Sequence, residues 1–434
     1  MSVDTAEHEH DDEPLPAAGY RTYEVYQRER VGETTNLIRP RQLISDDYVQ
    51  DPYSLLEVLR EHYPCYRDWV GNRFWVTRYD DVTSVFADEA NYETRTKRWY
   101  YGRPGLGRDL MTELPIVWAR ANRIDAAVED IAARVVADLG DEPDLATGFA
   151  ARLPLELWGA VLDLPADTVA PFSSAYWRMQ RGFAWDPASR RDGLAAMDDM
   201  REIVGPLLDQ RRAAPGDDLL SAVAQLDGLD GGPATADDVV ATLLETDHET
   251  LHGGLANLWY LLLTHGDQFE VVRSRPRLMK FAWLEALRHS PAVLSAERFA
   301  RHEVERFGRL IPGGGLLLCS AAAANRDPRV FADPDCFLVE RKDLCQREPR
   351  GQYRADGLPS GIAFGLGPPS VHPAVPRERP RSLYALTRDV AVQASLRLLD
   401  EYPQITLAPG AQPQLRSLRI GEMRTCWELP VTLA

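Results

Sequence analysis

The sequence predicts a mainly α-helical protein with small β-sheets, arranged as a single large domain. Three observations predict this class. Apolar residues recur at helical spacing through most of the chain, strand signals are confined to short pieces, and no internal repeat of fixed period occurs. Short loops separate most of the predicted helices, as is usual between neighbouring helices of one domain.

The elements follow from local patterns in chain order. Residues 51–62 carry helical periodicity, and residues 73–89 predict a short strand that runs into a helix. The other long helices are predicted over residues 122–139, 166–181, 193–213, 236–265, 267–274, 277–288 and 382–401. Strands are predicted around residues 294–299, 309–318 and 426–433. Residues 1–18 predict a disordered acidic tail, which leaves residues 19–434 for the domain.

Charge and composition exclude several classes of partner. The chain of 434 residues has 49 Lys and Arg against 66 Asp and Glu, a net charge of −17 that is spread along the chain. This balance argues against nucleic acid or an anionic membrane as the main partner. Apolar runs such as residues 258–263 are far shorter than the ~18 residues that a membrane span needs. The N-terminus is acidic, unlike a signal peptide, so we expect a cytoplasmic protein.

The cysteines fit a reducing compartment. They are odd in number and show no metal-finger spacing, so reduced thiols are expected rather than a disulfide framework. The five are Cys65, Cys319, Cys336, Cys345 and Cys426.

Four motifs occur in a fixed order in the second half of the chain. The segment LLETDHETLHGG, residues 243–254, lies on a predicted helix, and Glu285 and Arg288 lie three apart on another, on one face. The turn-forming sequence AANRDP follows at residues 323–328, and FGLG follows at residues 364–367.

Together these motifs resemble the cytochrome P450 family over nearly the whole chain. The resemblance implies the triangular-prism P450 fold as one large domain. It implies that Arg298 and Arg123 would hold haem propionates. It also implies that four residues are structural parts of the fold: Glu285, Arg288, Asn325 and Arg326.

The sequence departs from the family at the iron ligand. The family pattern FGxGxHxCxG matches Phe364, Gly365 and Gly367, but Val371 stands where the ligand cysteine would be and Pro373 where the second glycine would be. Valine cannot ligate iron, and proline removes N–H groups that would point at the thiolate. We therefore do not expect a thiolate-haem monooxygenase. His372 is the alternative axial ligand.

The predicted distal helix keeps Glu249 and Thr250, the acid and alcohol pair that the family uses for proton delivery. Glu245 lies one turn earlier on the predicted helix, so two carboxylates would share one face and could act as acid and base. The alternative is that both are ordinary solvated anions. The string HETLH, residues 248–252, matches a zinc pattern, but helical geometry turns its histidines away from Thr250, and no metal site is expected.

These observations favour a haem-free auxiliary or binding protein for a partner enzyme in bacterial secondary metabolism, with no cofactor. The basic residues at 377–381 suit a protein interface. Two alternatives stay open. One is a haem-independent enzyme that uses Glu245, Glu249 and Thr250 for isomerisation, elimination or cyclisation. The other is an atypical haem oxidoreductase or lyase with His372 or water on iron. A small apolar or aromatic ligand is expected in the cavity.

Overall fold

The computed structural model confirms the mainly helical class with small sheets. It describes residues 37–86, 88, 90–108, 110, 124–182, 187–226, 232–245, 248–343, 383–418 and 423–434. The predicted tail, the FGLG loop and the arginines of residues 377–381 lie outside the described residues, so the predictions made for them stay predictions.

Helices account for most of the described chain, and 3₁₀ turns and one π-turn lie between some of them. The α-helices are α1 (Asp46–Gln50), α2 (Tyr53–His62), α3 (Tyr79–Phe86), α4 (Lys97–Tyr100), α5 (Ile124–Ala137), α6 (Arg152–Val161), α7 (Val169–Arg181), α8 (Pro187–Ala213), α9 (Leu219–Ala224), α10 (Ala236–Leu244), α11 (His248–Thr264), α12 (Gly266–Ser274), α13 (Met279–His289), α14 (Ala321–Ala324) and α15 (Leu383–Glu401).

The strands are short. They are β1 (Cys65–Asp68), β2 (Arg73–Val76), β3 (Tyr92–Glu93), β4 (Ser295–Ala300), β5 (Val304–Arg306), β6 (Arg309–Ile311), β7 (Leu316–Ser320), β8 (Ile405–Leu407), β9 (Leu415–Ser417), β10 (Arg424–Cys426) and β11 (Val431–Leu433). Five of them form one sheet in the order β1-β2-β7-β4-β3. Strands β2 and β7 run parallel, with Trp75 opposite Leu318, and the other pairs are antiparallel.

The chain divides into two compact units. The first comprises Met1–Thr94, Leu284–Ala374 and Leu415–Arg424, and the second comprises Arg95–Trp283, Val375–Gln414 and Thr425–Ala434. In the first unit the five-stranded sheet and α2 bury a core that includes Leu56, Trp75 and Ala322. In the second, α7, α8, α9 and α10 bury a larger core that includes Phe172, Met200 and Leu243. Burial of such apolar area is the main stabilising term for each unit.

The predicted helix over residues 236–265 is wrong in one respect. Helix α10 ends at Leu244, Glu245 is its C-cap, and α11 begins at His248. The interruption is stabilised from another helix, because the Gln180 side-chain amide of α7 donates to the carbonyls of Leu243 and Leu244, at 3.0 and 3.3 Å. Those carbonyls belong to the last turn of α10, where the helix itself supplies no donor.

Helix α6 has no counterpart among the predicted helices, and it contains Pro154. This proline lies in the first turn of α6, where its missing N–H costs no intrahelical hydrogen bond. Predicted strand 309–318 is divided into β6 and β7. The turn between them contains Gly314 at a φ of 77°, a conformation that glycine adopts without steric cost.

Candidate functional site

The Glu285–Arg288 pair is fully buried on α13. Both side chains have 0% exposure, and the Arg288 Nε and Nη2 atoms donate to the two carboxylate oxygens of Glu285, each at 2.7 Å. The other guanidinium hydrogens go to backbone carbonyls of the following loop: those of Asn325 at 2.8 Å, Pro334 at 2.7 Å and Cys336 at 3.0 Å. A buried ion pair is tolerated when its remaining donors are also satisfied, as they are here. The pair fastens α13 to the loop that follows β7 and α14.

Arg341 is a third member of this cluster, and the sequence analysis missed it. Its Nε donates to Glu285 at 3.1 Å, and its Nη2 donates to the carbonyls of Asp333 and Cys336, each at 2.9 Å. The side chain is 2% exposed. The only sequence signal is an arginine that is followed directly by Lys342, which sequence alone cannot distinguish from a surface cation.

Asn325 and Arg326 tie the same loop to its neighbours. The Asn325 amide donates to the Leu287 carbonyl at 3.4 Å. The Arg326 guanidinium donates to the His289 carbonyl at 2.8 Å and stacks over the Tyr53 ring at 3.4 Å from its centroid. These contacts are those expected of residues that hold the fold together. The structural role of Asn325 and Arg326 stays a prediction.

Arg298, on β4, is the one described residue that the family resemblance assigns to haem. It is buried, its guanidinium lies 4.4 Å from the centroid of the Phe86 ring, and Nη1 donates to the Glu297 carbonyl at 2.8 Å. Burial lowers the pKa of Arg298 to about 10. A cation that is desolvated to this degree gains from a nearby anion, so the residue fits the carboxylate of a haem propionate. Arg123 lies outside the described residues.

Glu245 is the C-cap of α10. Its carboxylate accepts hydrogen bonds from the backbone N–H groups of Lys97 and Arg98 at 2.9 and 3.1 Å, and from Arg98 Nε at 3.2 Å. These N–H groups belong to the first turn of α4, where a carboxylate is stabilised by the unpaired donors and the helix dipole. Glu245 thus caps the end of α10 while Glu249 belongs to α11, and their use as an acid and base pair stays a prediction.

Glu249 lies in the first turn of α11 and has a cation of its own. Lys97 Nζ lies 3.9 Å from Glu249 Oε2 and donates to Gln180 Oε1 at 2.7 Å. Thr250 beside it is buried, with 2% exposure. Each of the two carboxylates thus has a cationic partner on α4. The catalytic role of Glu245, Glu249 and Thr250 stays a prediction.

His252 is buried between two indoles. Its ring lies 5.5 Å from that of Trp177 on α7 and 6.1 Å from that of Trp427, both edge to face. Its Nδ1 atom has no hydrogen-bond partner among the described residues. Burial lowers the pKa of His252 to about 4, so the ring is neutral at pH 7. Among the described residues, no group of three His, Cys, Asp or Glu side chains is placed to hold a metal ion.

The four described cysteines form no disulfide with one another. Cys65, Cys319 and Cys426 are buried, and burial raises the pKa of Cys319 and of Cys426 to about 12. Both are therefore protonated thiols rather than thiolates at neutral pH. Cys336 is exposed, and its backbone carbonyl accepts hydrogen bonds from Arg288 and Arg341. The vacant ligand position Val371 and its neighbour His372 lie outside the described residues.

Comparison with known proteins identifies relatives along most of the chain. No family model matches it. It is 27% identical over 415 residues to the cytochrome P450 monooxygenase PikC of Streptomyces venezuelae, covering 88% of this chain and 92% of that one. It is 30% identical over 303 residues to the nocardicin C N-oxygenase of Nocardia uniformis subsp. tsuyamanensis, covering 68% of each. The ligand-free structure of cytochrome P450 TbtJ1 superposes with a TM-score of 0.72 at 24% identity, covering 90% of this chain and all of that one.

These relatives correct one expectation. No cofactor was expected from the sequence, but cytochromes are haem proteins, and the similarity extends over nearly the full length of both chains. The expectation of no cofactor is therefore contradicted. Arg298 is a described residue that suits haem. No described helix is both long and apolar enough to span a membrane. The buried Glu285–Arg288 pair, the fold and the relatives all point to the same family. The chain belongs to the cytochrome P450 family.

Proposed function

We propose that this chain acts as an auxiliary protein that binds and supports a partner enzyme of bacterial secondary metabolism, rather than as a thiolate-haem monooxygenase. One observation carries the proposal: Val371 stands where the family pattern has the cysteine ligand, with Pro369 and Pro373 beside it. Without a thiolate the chain lacks the ligand that favours O–O cleavage in P450 chemistry. The proposal concerns the role of the chain and does not require that haem be absent.

Two structural observations support it. The buried cluster of Glu285, Arg288 and Arg341 has every charged group hydrogen-bonded, as a chain retained for its fold requires. Glu245 and Glu249 are each paired with a cation on α4 instead of being available to a substrate. Both observations suit a protein that acts by binding a partner enzyme at its surface rather than by catalysis at these carboxylates.

The experiment is affinity purification with the tagged chain as bait, followed by reconstitution with the enzyme that co-purifies. That enzyme is purified alone and after co-expression with this chain, and its turnover and soluble yield are compared. The proposal predicts a complex on size-exclusion chromatography and a turnover at least about tenfold higher with this chain, about 1.4 kcal/mol in the barrier. Full activity of the enzyme alone, with no complex, would refute the proposal.

A second candidate is an atypical haem oxidoreductase with His372 or water on iron. It is favoured by Arg298, whose buried guanidinium suits a propionate. The test is an absorption spectrum from ~350 to 650 nm with iron analysis of the same sample, on wild type and His372→Ala. A Soret band with stoichiometric iron that changes in His372→Ala supports histidine ligation. An unchanged spectrum excludes that ligand.

A further inference from the structure

Helix α4 is too short to be stable by its own hydrogen bonds. It has four residues, and Thr96 caps its start by accepting from the Trp99 N–H. The first turn of a helix fixes several residues for one hydrogen bond, and isolated helices shorter than ~12 residues are marginal in water. The order of this segment therefore depends on contacts with other elements, and two of these are α7 and α10.

The first turn of α4 is bound to the end of α10. Glu245, the C-cap of α10, accepts hydrogen bonds from the backbone N–H groups of Lys97 and Arg98 at 2.9 and 3.1 Å. Arg98 Nε adds a third at 3.2 Å. N–H groups in the first turn of a helix have no partner within the helix, so Glu245 satisfies two donors that α4 cannot satisfy itself. The position of α4 thus depends on where α10 ends.

The far end of α4 is bound to α7. Tyr101, the residue after α4, is 2% exposed, and its hydroxyl donates to the Met179 carbonyl. The same hydroxyl lies between Gly182 and Gly193, where a Cβ on either glycine would fall 2.1 or 2.2 Å from it. No side chain fits at such a separation, so the two glycines leave the space that Tyr101 fills. Tyr101 therefore joins α4 to the place where α7 ends against α8.

Gln180 of α7 contacts both of the other elements. It is 2% exposed, its side-chain nitrogen donates to the carbonyls of Leu243 and Leu244 at 3.0 and 3.3 Å, and its oxygen accepts from Lys97 Nζ at 2.7 Å. A carbonyl can only accept and a lysine ammonium can only donate, so these partners fix the orientation of the amide. One buried side chain thus connects α7 to α4 and to α10 at once.

The three elements are therefore connected pairwise. Glu245 joins α4 to α10, Tyr101 and Lys97 join α4 to α7, and Gln180 joins α7 to α10. Loss of one contact leaves buried groups of the other two elements unpaired, which costs more than the loss of an exposed hydrogen bond. Segments that depend on one another in this way open together rather than singly.

We propose that α4, the last turn of α7 and the last turn of α10 form a latch that opens and closes as one unit. The latch holds α7 against α11, because Trp177, one turn before Gln180, packs against the ring of His252. Opening of the latch uncovers this buried histidine. The inference concerns only the second compact unit and does not depend on the proposed function.

The test is amide hydrogen exchange of the full-length chain, followed by mass spectrometry at increasing urea concentrations below the unfolding transition. The reporters are N–H groups bonded to backbone carbonyls: Arg103 in α4, Gly182 in α7 and Glu245 in α10. Peptides that cover residues 97–103, 176–182 and 241–245 should have the same protection and the same dependence on urea. Different protection or a different urea dependence in the wild type would overturn the proposal.

Variants change one side of the latch and report on the others. Gln180→Leu should accelerate exchange by about tenfold or more in all three peptides, because it leaves buried partners without a hydrogen bond. Lys97→Met should accelerate the same peptides less, since the backbone contacts to Glu245 remain. Modification of His252 by diethylpyrocarbonate should become faster in the same order. The matched control is Gln225→Leu, the same change at an exposed position after α9, which should alter none of these rates.

Two further outcomes would count against the latch. Acceleration confined to residues 176–182 in Gln180→Leu would show that the three segments open independently. Equal acceleration in α6, measured at Arg152–Val161, in both Gln180→Leu and Lys97→Met would show a general loss of stability in place of a local opening. Either result would overturn the inference.

Discussion

The Glu245 carboxylate accepts a hydrogen bond from Arg98 Nε at 3.2 Å, across 147 residues of sequence, and both side chains are mostly buried. The same carboxylate binds two backbone N–H groups at the start of α4. A carboxylate predicted as a catalytic acid therefore anchors the start of α4. The first prediction follows from this pair.

Glu245→Gln should lower the free energy of unfolding by about 1–2 kcal/mol, since it removes a charge-assisted set of hydrogen bonds. Arg98→Gln should cost less, because the backbone contacts to Glu245 remain. The double variant should show a coupling of about 1 kcal/mol in urea unfolding. Faster amide exchange at residues 97–101 in Glu245→Gln would confirm the anchoring role. Strictly additive effects would show that the two side chains are not coupled.

Because His252 is buried in its neutral form, the free energy of unfolding should fall in mild acid. Burial holds its pKa at about 4 in the folded protein, against the usual 6.5, so the unfolded chain takes up a proton more readily. Stability from this residue is constant above pH 6.5 and falls as the pH drops from 6.5 toward 4, by about 2 kcal/mol at pH 5.

The measurement for His252 is urea unfolding at pH 7.5 and pH 5 for the wild type and for His252→Phe. The phenylalanine should fit between Trp177 and Trp427 and remove part of the pH dependence. His62→Gln, at an exposed position on α2, is the control and should keep the wild-type profile. Equal pH dependence in the wild type and His252→Phe would contradict the prediction.

Arg341 should be as important to folding as the two predicted motif residues. Arg341→Ala leaves the buried Glu285–Arg288 pair with fewer donors and should lower the free energy of unfolding by about 3–5 kcal/mol. Arg341→Lys keeps the charge but not the planar fork, and should lose part of that amount. Arg397→Ala, which breaks a surface pair with Glu401, should cost under about 0.5 kcal/mol. A loss of similar size at both positions would be inconsistent with the buried cluster.

Two glycines on the second unit give opposite predictions for the same substitution. A Cβ on Gly193 would lie 2.7 Å from the Cα of Gly182 and 3.0 Å from Tyr101 Cζ, so α7 and α8 would have to separate. Gly193→Ala should therefore cost about 2 kcal/mol or more in unfolding free energy. Gly159→Ala on α6, where nothing lies within 4 Å of the new Cβ, should stabilise by about 0.5–1 kcal/mol. Thermal melts of the two variants distinguish the cases by the sign of the change in Tm.

Arg298 gives a prediction for haem. Haem added to the purified protein should bind about tenfold more weakly to Arg298→Gln than to the wild type, because the propionate loses a charge-assisted partner. The measurement is the Kd from titration of Soret absorbance, with thermal melts as a check on folding. Arg301→Gln changes an exposed arginine that pairs with Glu93 and should bind haem as the wild type does. Equal affinities of Arg298→Gln and the wild type would remove Arg298 from the haem site.

The sequence determined the class, the family and most element positions, because these depend on patterns within a few residues. Residues 51–62 and 73–89 gave their helix and their strand–helix unit correctly, and the Glu285–Arg288 motif pointed to a fold that the relatives confirm. Helical periodicity and motif spacing are local properties of the chain.

Only the tertiary structure decided how the candidate site residues are used. Glu245 meets Arg98 across 147 residues, and Arg341 meets Glu285 across 56. His252 is neutral because indoles from two distant segments bury it. Contacts of this range and the desolvation they cause depend on which surfaces meet in the folded chain, and no local pattern encodes that.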